Sequence, residues 1–132
     1  MADIPAGFHD LLTNNKAFAH LATVMPDGSP QVTPVWFDYS DGKIRVNTAK
    51  GRTKARNMEM GSRVALAIMD PANAYRYLQV RGTVSRITEE GAVAHIDSLA
   101  KKYLGKDRYP WHSEKEVRVT YEITPTATQT MG

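Results

Sequence analysis

Apolar and polar side chains alternate along most of this chain in short runs, the period of a strand rather than of a helix. In 117–125, Val117, Val119, Tyr121 and Ile123 alternate with Arg118, Thr120, Glu122 and Thr124, which predicts a strand with one buried face. In 63–69, Val64, Leu66 and Ile68 share one face and Ala65, Ala67 and Met69 the other. Both faces are apolar there, so this strand is expected in the centre of a sheet. Further strands are predicted at 17–25, 30–39, 43–48 and 75–87. Their boundaries are turn signals: Pro26-Asp27-Gly28-Ser29, Ser40-Asp41-Gly42 and Asp70-Pro71-Ala72-Asn73. Gly82 marks a place for a bulge or bend within the long fifth strand.

The period changes to that of a helix in three places. Residues 5–14 carry Phe8, Leu11 and Leu12 on one stripe and end at Asn14-Asn15. Residues 52–60 place Ala55 and Met58 on one face. Residues 88–104 carry Val93, Ile96, Leu99 and Ala100, and Gly105 stops them. Residues 106–115 read as a loop, and the small polar residues 126–132 as a frayed tail. Six short strands joined mostly by tight turns predict a mainly β fold, a closed or nearly closed antiparallel barrel interrupted by short helices.

Composition narrows the class. The chain has 132 residues, 42% hydrophobic and 23% charged, which suits one globular domain. It has no cysteine, which excludes disulfides, thiolate metal sites and thiol nucleophiles. There is no apolar run of membrane length and no secretory start, so the expected location is cytoplasmic and the membrane is not an expected partner. The net charge is only +3, but Lys50, Arg52, Lys54 and Arg56 fall within seven residues that hold no anion. They surround Gly51, where a strand gives way to a helix. Unpaired amides at a helix start, with added cations, suit a phosphate. Arg52 and Lys54, nearest that start, are the first candidates to hold it.

The strand Gln31-Val32-Thr33-Pro34-Val35-Trp36-Phe37-Asp38-Tyr39 is apolar on both faces. One face can fill the barrel, and the other calls for a ligand or a second subunit. Pro34 cannot donate to a ladder, so the strand is at an edge or bulged there. Asn47 and Thr48 can cap the helix or meet a phosphate. Tyr75, Tyr77 and Gln79 share a face that suits a ring, an interface or plain coverage of the barrel. Tyr103, Arg108, Tyr109, Trp111 and His112 form an aromatic group that suits a lid or a folded-back loop. His9, His20, His95 and His112 lack ligand spacing, so no metal site is expected. Hydrolase elbow, Walker sequence and dinucleotide fingerprint are all missing. The residues thus describe a binding surface without acid–base machinery, as suits a cofactor that carries the reactivity itself. No side chain is assigned as catalytic. A barrel that binds single-stranded nucleic acid would combine cations with stacked aromatics, but the modest net charge speaks against it.

Four segments, in order, carry a resemblance: Pro-Asp-Gly-x-Pro-Gln-Val-x-Pro-Val-Trp-Phe at 26–37, Val-Asn-Thr-x-x-Gly-Arg-x-Lys-x-Arg-Asn-Met at 46–58, Arg-Val-Ala-Leu at 63–66 and Tyr-x-Gln-Val-Arg-Gly-x-Val at 77–84. Their order and spacing resemble the pyridoxamine 5′-phosphate oxidase-like flavin and deazaflavin oxidoreductases, over about 18–87 and again 103–125. The resemblance implies a split β-barrel homodimer with two cofactor sites at the subunit interface. It implies that Gln31, Val32, Thr33, Pro34, Val35 and Trp36 lie along the flavin ring. Asn47 and Thr48 would sit near the ring and ribityl chain, and Arg52 and Lys54 would hold the phosphate. Tyr77 and Gln79 would approach the ring edge. Pyridoxamine phosphate oxidases proper carry an Arg-Lys pair before the helix and a basic C-terminal segment. Here Thr53 replaces that arginine and the chain ends in neutral residues, which argues against vitamin B6 oxidation. The form of 51–57 is more similar to the branch using coenzyme F420, a deazaflavin with a phosphate and an oligoglutamate tail. Lys50 and Arg56 would then meet the tail. The expected activity is hydride transfer between the deazaflavin and an unsaturated organic substrate. FMN is the alternative cofactor, and cofactor binding without turnover the alternative role.

Overall fold

The computed structural model describes residues 2–13 and 16–132. Its strands are β1 (Ala19–Val24), β2 (Pro30–Val35), β3 (Phe37–Ser40), β4 (Lys43–Ala49), β5 (Arg63–Asp70), β6 (Asn73–Thr88) and β7 (Arg118–Met131). All pair antiparallel in one sheet of order β2-β1-β5-β6-β7-β4-β3. The helices are α1 (Asp10–Thr13), α2 (Thr53–Asn57) and α3 (Ala92–Leu104).

The order of the strands explains the shape. β2 and β3 lie at opposite edges of the sheet, yet only Trp36 separates them in the chain. Two peptide steps span at most about 7 Å, so the sheet must curl until its edges nearly meet. The result is a mainly β, single-domain split barrel whose seam is at Trp36. The strand expected at 30–39 is therefore two strands, and the six expected strands are seven. Pro34 sits on edge strand β2, where its missing N–H costs no ladder bond.

Alternation fills the barrel. Leu21, Phe37, Ile44, Leu66, Ile68, Leu78 and Ile123 are fully buried, joined by Leu11 and Leu12 of α1. The helix end expected at Asn14-Asn15 lies outside the described residues. β5 is central, between β1 and β6. In β6 the register shifts between Arg81 and Gly82, and a Cβ at Gly82 would lie 2.5 Å from the carbonyl oxygen of Thr124. Only glycine allows β6 and β7 to approach so closely at this bend. Residues 126–131 do not fray as expected. They continue β7, with Thr128 opposite Val80 and Met131 opposite Tyr77.

The helices are shorter than their patterns suggest. α2 has five residues, and α3 begins at Ala92, after Gly91 in the left-handed region, while Thr88 ends β6. The buried stripe of α3 is Ala92, His95, Ile96, Leu99, Ala100 and Tyr103; Val93, expected within it, faces out. Among the described residues no helix is long and apolar enough to cross a membrane.

Candidate functional site

A cavity of about 460 Å³ opens beside the barrel seam, lined by Phe18, Pro34, Val35, Trp36, Asn47, Arg52, Lys54, Ile96, Tyr109, Trp111 and Arg118. One wall is aromatic. Tyr103 is sandwiched between Phe18 and Trp36, with ring centroids 5.4 and 5.3 Å apart and planes within 15° and 5° of parallel. Tyr109 meets Trp36 edge-on, and Trp111 meets Tyr109 the same way. The Tyr103 hydroxyl locks this wall in place. It donates to the carbonyl of Ala17 at 2.7 Å and accepts the amide of Phe37 at 3.3 Å. Burial pushes its pKa up to about 12, so it stays a neutral phenol.

The cavity is also cationic, and its charge adjoins the aromatic wall: the Arg118 guanidinium lies 5.2 Å from the centre of the Tyr109 ring. Arg52 precedes α2, Lys54 lies in its first turn, and Arg118 opens β7 opposite Ala49. One carboxylate, Glu116, reaches both arginines, at 3.2 Å from Arg52 and 3.4 Å from Arg118. Two arginines thus share one counter-charge, with Lys54 beside them. Burial, followed by the charges of Arg52 and Arg118, draws the Lys54 ammonium below its ordinary pKa. A phosphate would relieve both the repulsion and the desolvation. With five residues, α2 contributes little dipole, so the attraction resides in the side chains rather than in a helix start.

A buried polar network holds Arg118. Asn47 accepts a hydrogen bond from Arg118 Nε at 2.9 Å and donates to the carbonyl of Ala92 at 2.8 Å. His95 lies behind it, between Asn47, Thr120 and Asp38. Asp38 also takes a two-pronged bond from Arg45, at 2.8 and 2.7 Å. Burial alone would raise the Asp38 pKa, but hydrogen bonds from His95 and Arg45 outweigh it and hold the carboxyl below its ordinary range.

The structure brings six expected residues to this cavity: Pro34, Val35, Trp36, Asn47, Arg52 and Lys54. Gln31, Val32 and Thr33 stand further along β2. Gln31 accepts a bond from Thr23 at 2.8 Å, and Val32 is on the outer sheet face. Thr48 is turned into the barrel opposite Val119, and its buried hydroxyl has no partner among the described residues. Lys50 is ion-paired with Glu89. Tyr77 and Gln79 line a separate depression on the outer face of β5 and β6, with His20, Ala67, Met69 and Ala74. Arg118 was not a candidate, nor were Phe18 and Ile96. The one signal for Arg118 is a long cation at the start of a strand that follows the aromatic loop, whose Tyr109 lies over it.

Residues 7–132 match the family described as pyridoxamine 5′-phosphate oxidase. The chain belongs to this family. Among solved structures similar to this family member, an F420 reductase is 35% identical, with TM-score 0.83 over 96% of this chain and 98% of its own. A conserved hypothetical protein from Mycobacterium tuberculosis is 24% identical, with TM-score 0.73 over 99% and 86% of the two chains. The heme storage protein HutZ from Vibrio cholerae is 18% identical, with TM-score 0.63 over 90% and 89%. The last two show the shared fold. A search of curated proteins gives no match.

Proposed function

We propose that this chain is an oxidoreductase that binds coenzyme F420 in the seam cavity and uses it to reduce an unsaturated organic substrate. The observation that carries the reading is one cavity that combines an aromatic wall with three cations, two of which share a single carboxylate. A flat ring joined to a phosphate matches both features. Family membership and the likeness to an F420 reductase support an oxidoreductase of the flavin and deazaflavin type.

When bound, the deazaflavin supplies the hydride chemistry. Arg52, Lys54 and Arg118 hold the phosphate, and Asn47 fixes the Arg118 fork. Pro34, Val35 and Trp36 lie along the ring and keep water from one side of it. Tyr109 and Trp111 limit the open side and bound the substrate space. No side chain is needed as acid, because the proton that follows the hydride can come from solvent.

The outer face of β1, β2, β5 and β6 suits a second copy. It presents small Ala22, Ala65 and Ala67 beside Val32, 63% exposed, and Tyr75, 77% exposed. In such a homodimer Tyr77 and Gln79 would serve the partner's cofactor. Cytoplasmic residence belongs to the same reading. FMN is the second candidate, because the cations and aromatics suit its phosphate and ring equally.

The test is a pair of titrations of the purified protein, one with F420 and one with FMN, followed by fluorescence. F420 is expected to bind more tightly, and its reduced form, supplied to the protein, to give up hydride and return to F420 when enones or quinones are added. Binding of neither cofactor would overturn the reading; binding without turnover would leave a carrier rather than an enzyme.

A further inference from the structure

His95 is buried, does not line the cavity, and plays no part in the reading above. Its two ring nitrogens nevertheless face unlike partners. Nε2 lies 3.2 Å from Asp38 Oδ2, and Arg45 donates to both oxygens of that carboxylate. A carboxylate so engaged only accepts, so Nε2 carries a hydrogen. On the other side Nδ1 lies 3.2 Å from Asn47 Nδ2 and 3.1 Å from Thr120 Oγ1. The Asn47 amide nitrogen also donates to the Ala92 carbonyl, and its oxygen accepts from Arg118 Nε. That nitrogen is a donor only, and its second hydrogen lies between His95 Nδ1 and Thr120 Oγ1, 3.2 and 3.4 Å away; a bare Nδ1 accepts it.

The arrangement resembles a nucleophile–histidine–carboxylate triad, but Thr120 is 4% exposed and does not line the seam cavity. No substrate reaches it. The chain of bonds leads instead from Asp38 through His95 to Asn47 and on to Arg118, which does line the cavity.

We propose that His95 is a positioning residue: its Nδ1 acceptor fixes the orientation of the Asn47 amide, and Asn47 in turn aims Arg118 at the ligand's phosphate. Reversing the amide would set its NH2 against Arg118 Nε–H, donor against donor. The carbonyl of Ala92 would then face the amide oxygen, acceptor against acceptor. A bare Nδ1 would also face the amide oxygen, acceptor against acceptor, so the ring opposes that reversal from behind. The effect on a ligand rests on the function proposed above; the effect on Arg118 does not.

Two substitutions separate the two sides of the ring. His95→Asn keeps an acceptor near the Nδ1 position, whereas His95→Gln keeps a donor near Nε2. Two readouts are compared: the nitrogen-15 resonance of Arg118 Nε–H, protected from solvent by its bond to Asn47, and the ratio of FMN to riboflavin affinity. His95→Asn should retain the resonance and the ratio. His95→Gln should lose the resonance and lower FMN affinity about tenfold with riboflavin unchanged, the loss of roughly one charge-assisted bond. A His95→Gln variant that keeps both, or a His95→Asn variant that loses both, would overturn the proposal. Wild-type protein provides a check that needs no variant: imidazole nitrogen shifts should show hydrogen on Nε2 and a bare Nδ1, and the opposite tautomer would overturn it. If wild type binds no flavin or deazaflavin, the proposed function fails, and the resonance and the tautomer still decide the role of His95.

Discussion

The barrel has two sizeable concavities, and the larger one is the less informative. It measures about 630 Å³ and is lined by residues of β1, β5 and β6 with Pro30 and Thr126, among them Val24, Arg63, Arg81 and Gly82. The seam cavity measures about 460 Å³. The larger one has two arginines on an open sheet face, no aromatic lining and no buried polar residue oriented behind its cations. In the seam cavity each cation is held: Arg118 by Asn47 and Glu116, Arg52 by Glu116, and Lys54 by half-burial between them. Volume comes from curvature of a sheet. A recognition site needs convergent groups that are already oriented, because a ligand then need not order them.

The contrast can be broken most severely at the cations. Replacing Arg52 and Lys54 together by alanine should weaken F420 binding by about 3–6 kcal/mol, two charge-assisted bonds at ~1.5–3 kcal/mol each. Arg63→Ala, in the larger concavity, should leave that affinity unchanged. Fluorescence titration of both variants makes the comparison, and equal losses would remove the distinction. Next in size is Gly82→Ala. The new Cβ would press on the Thr124 carbonyl, so the fold should lose about 1–3 kcal/mol in urea unfolding, as overpacked sites do. Any folded fraction should bind F420 normally, because the strain lies at the other concavity.

At the aromatic wall, Trp36→Ala removes one layer of the stack with Tyr103. Affinity for F420 and for riboflavin should fall together, by about 1 kcal/mol, the scale of an aromatic pair. A loss confined to phosphorylated ligands would contradict the assignment of ring and phosphate. The smallest effect concerns Asp38, whose carboxyl is held below its ordinary pKa by His95 and Arg45 despite burial. A group with a depressed folded pKa stabilises above its unfolded value, near 3.9, and loses that contribution as pH falls through its folded value. Asp38→Asn should therefore cost about 1 kcal/mol at neutral pH. The gap to wild type should close below pH ~4, measured by thermal melts across pH. A gap that widened in acid would reverse the sign.

Much of this was legible in the sequence. The alternation at 63–69 and 117–125 placed β5 in the centre and gave the inward face of β7. Pro34 marked an edge, and the cations around Gly51 marked the charged part of the cavity. What escaped detection depends on contacts between distant segments. Val35 and Phe37 both point inward, so the period runs on unbroken while the chain passes from one edge of the sheet to the other. Arg118 looks like the solvent face of a strand until Tyr109, in the loop after α3, stacks over it. His95 is polar, and Val93 made the better hydrophobic stripe; yet His95 is buried because Asp38, Asn47 and Thr120 satisfy both its nitrogens. The tail looked frayed because Thr126, Thr128 and Thr130 are polar. They stay in the sheet because β6 is long enough to pair with them.

The central claim is that the seam cavity, and not the larger concavity, takes a phosphorylated ring. A crystal structure of the protein with F420 tests it most directly. The account predicts the phosphate within hydrogen-bond reach of Arg52, Lys54 and Arg118, and the ring along Pro34, Val35 and Trp36. A deazaflavin seated instead between Arg63 and Arg81, or in the seam cavity with its phosphate turned away from the three cations, would contradict it.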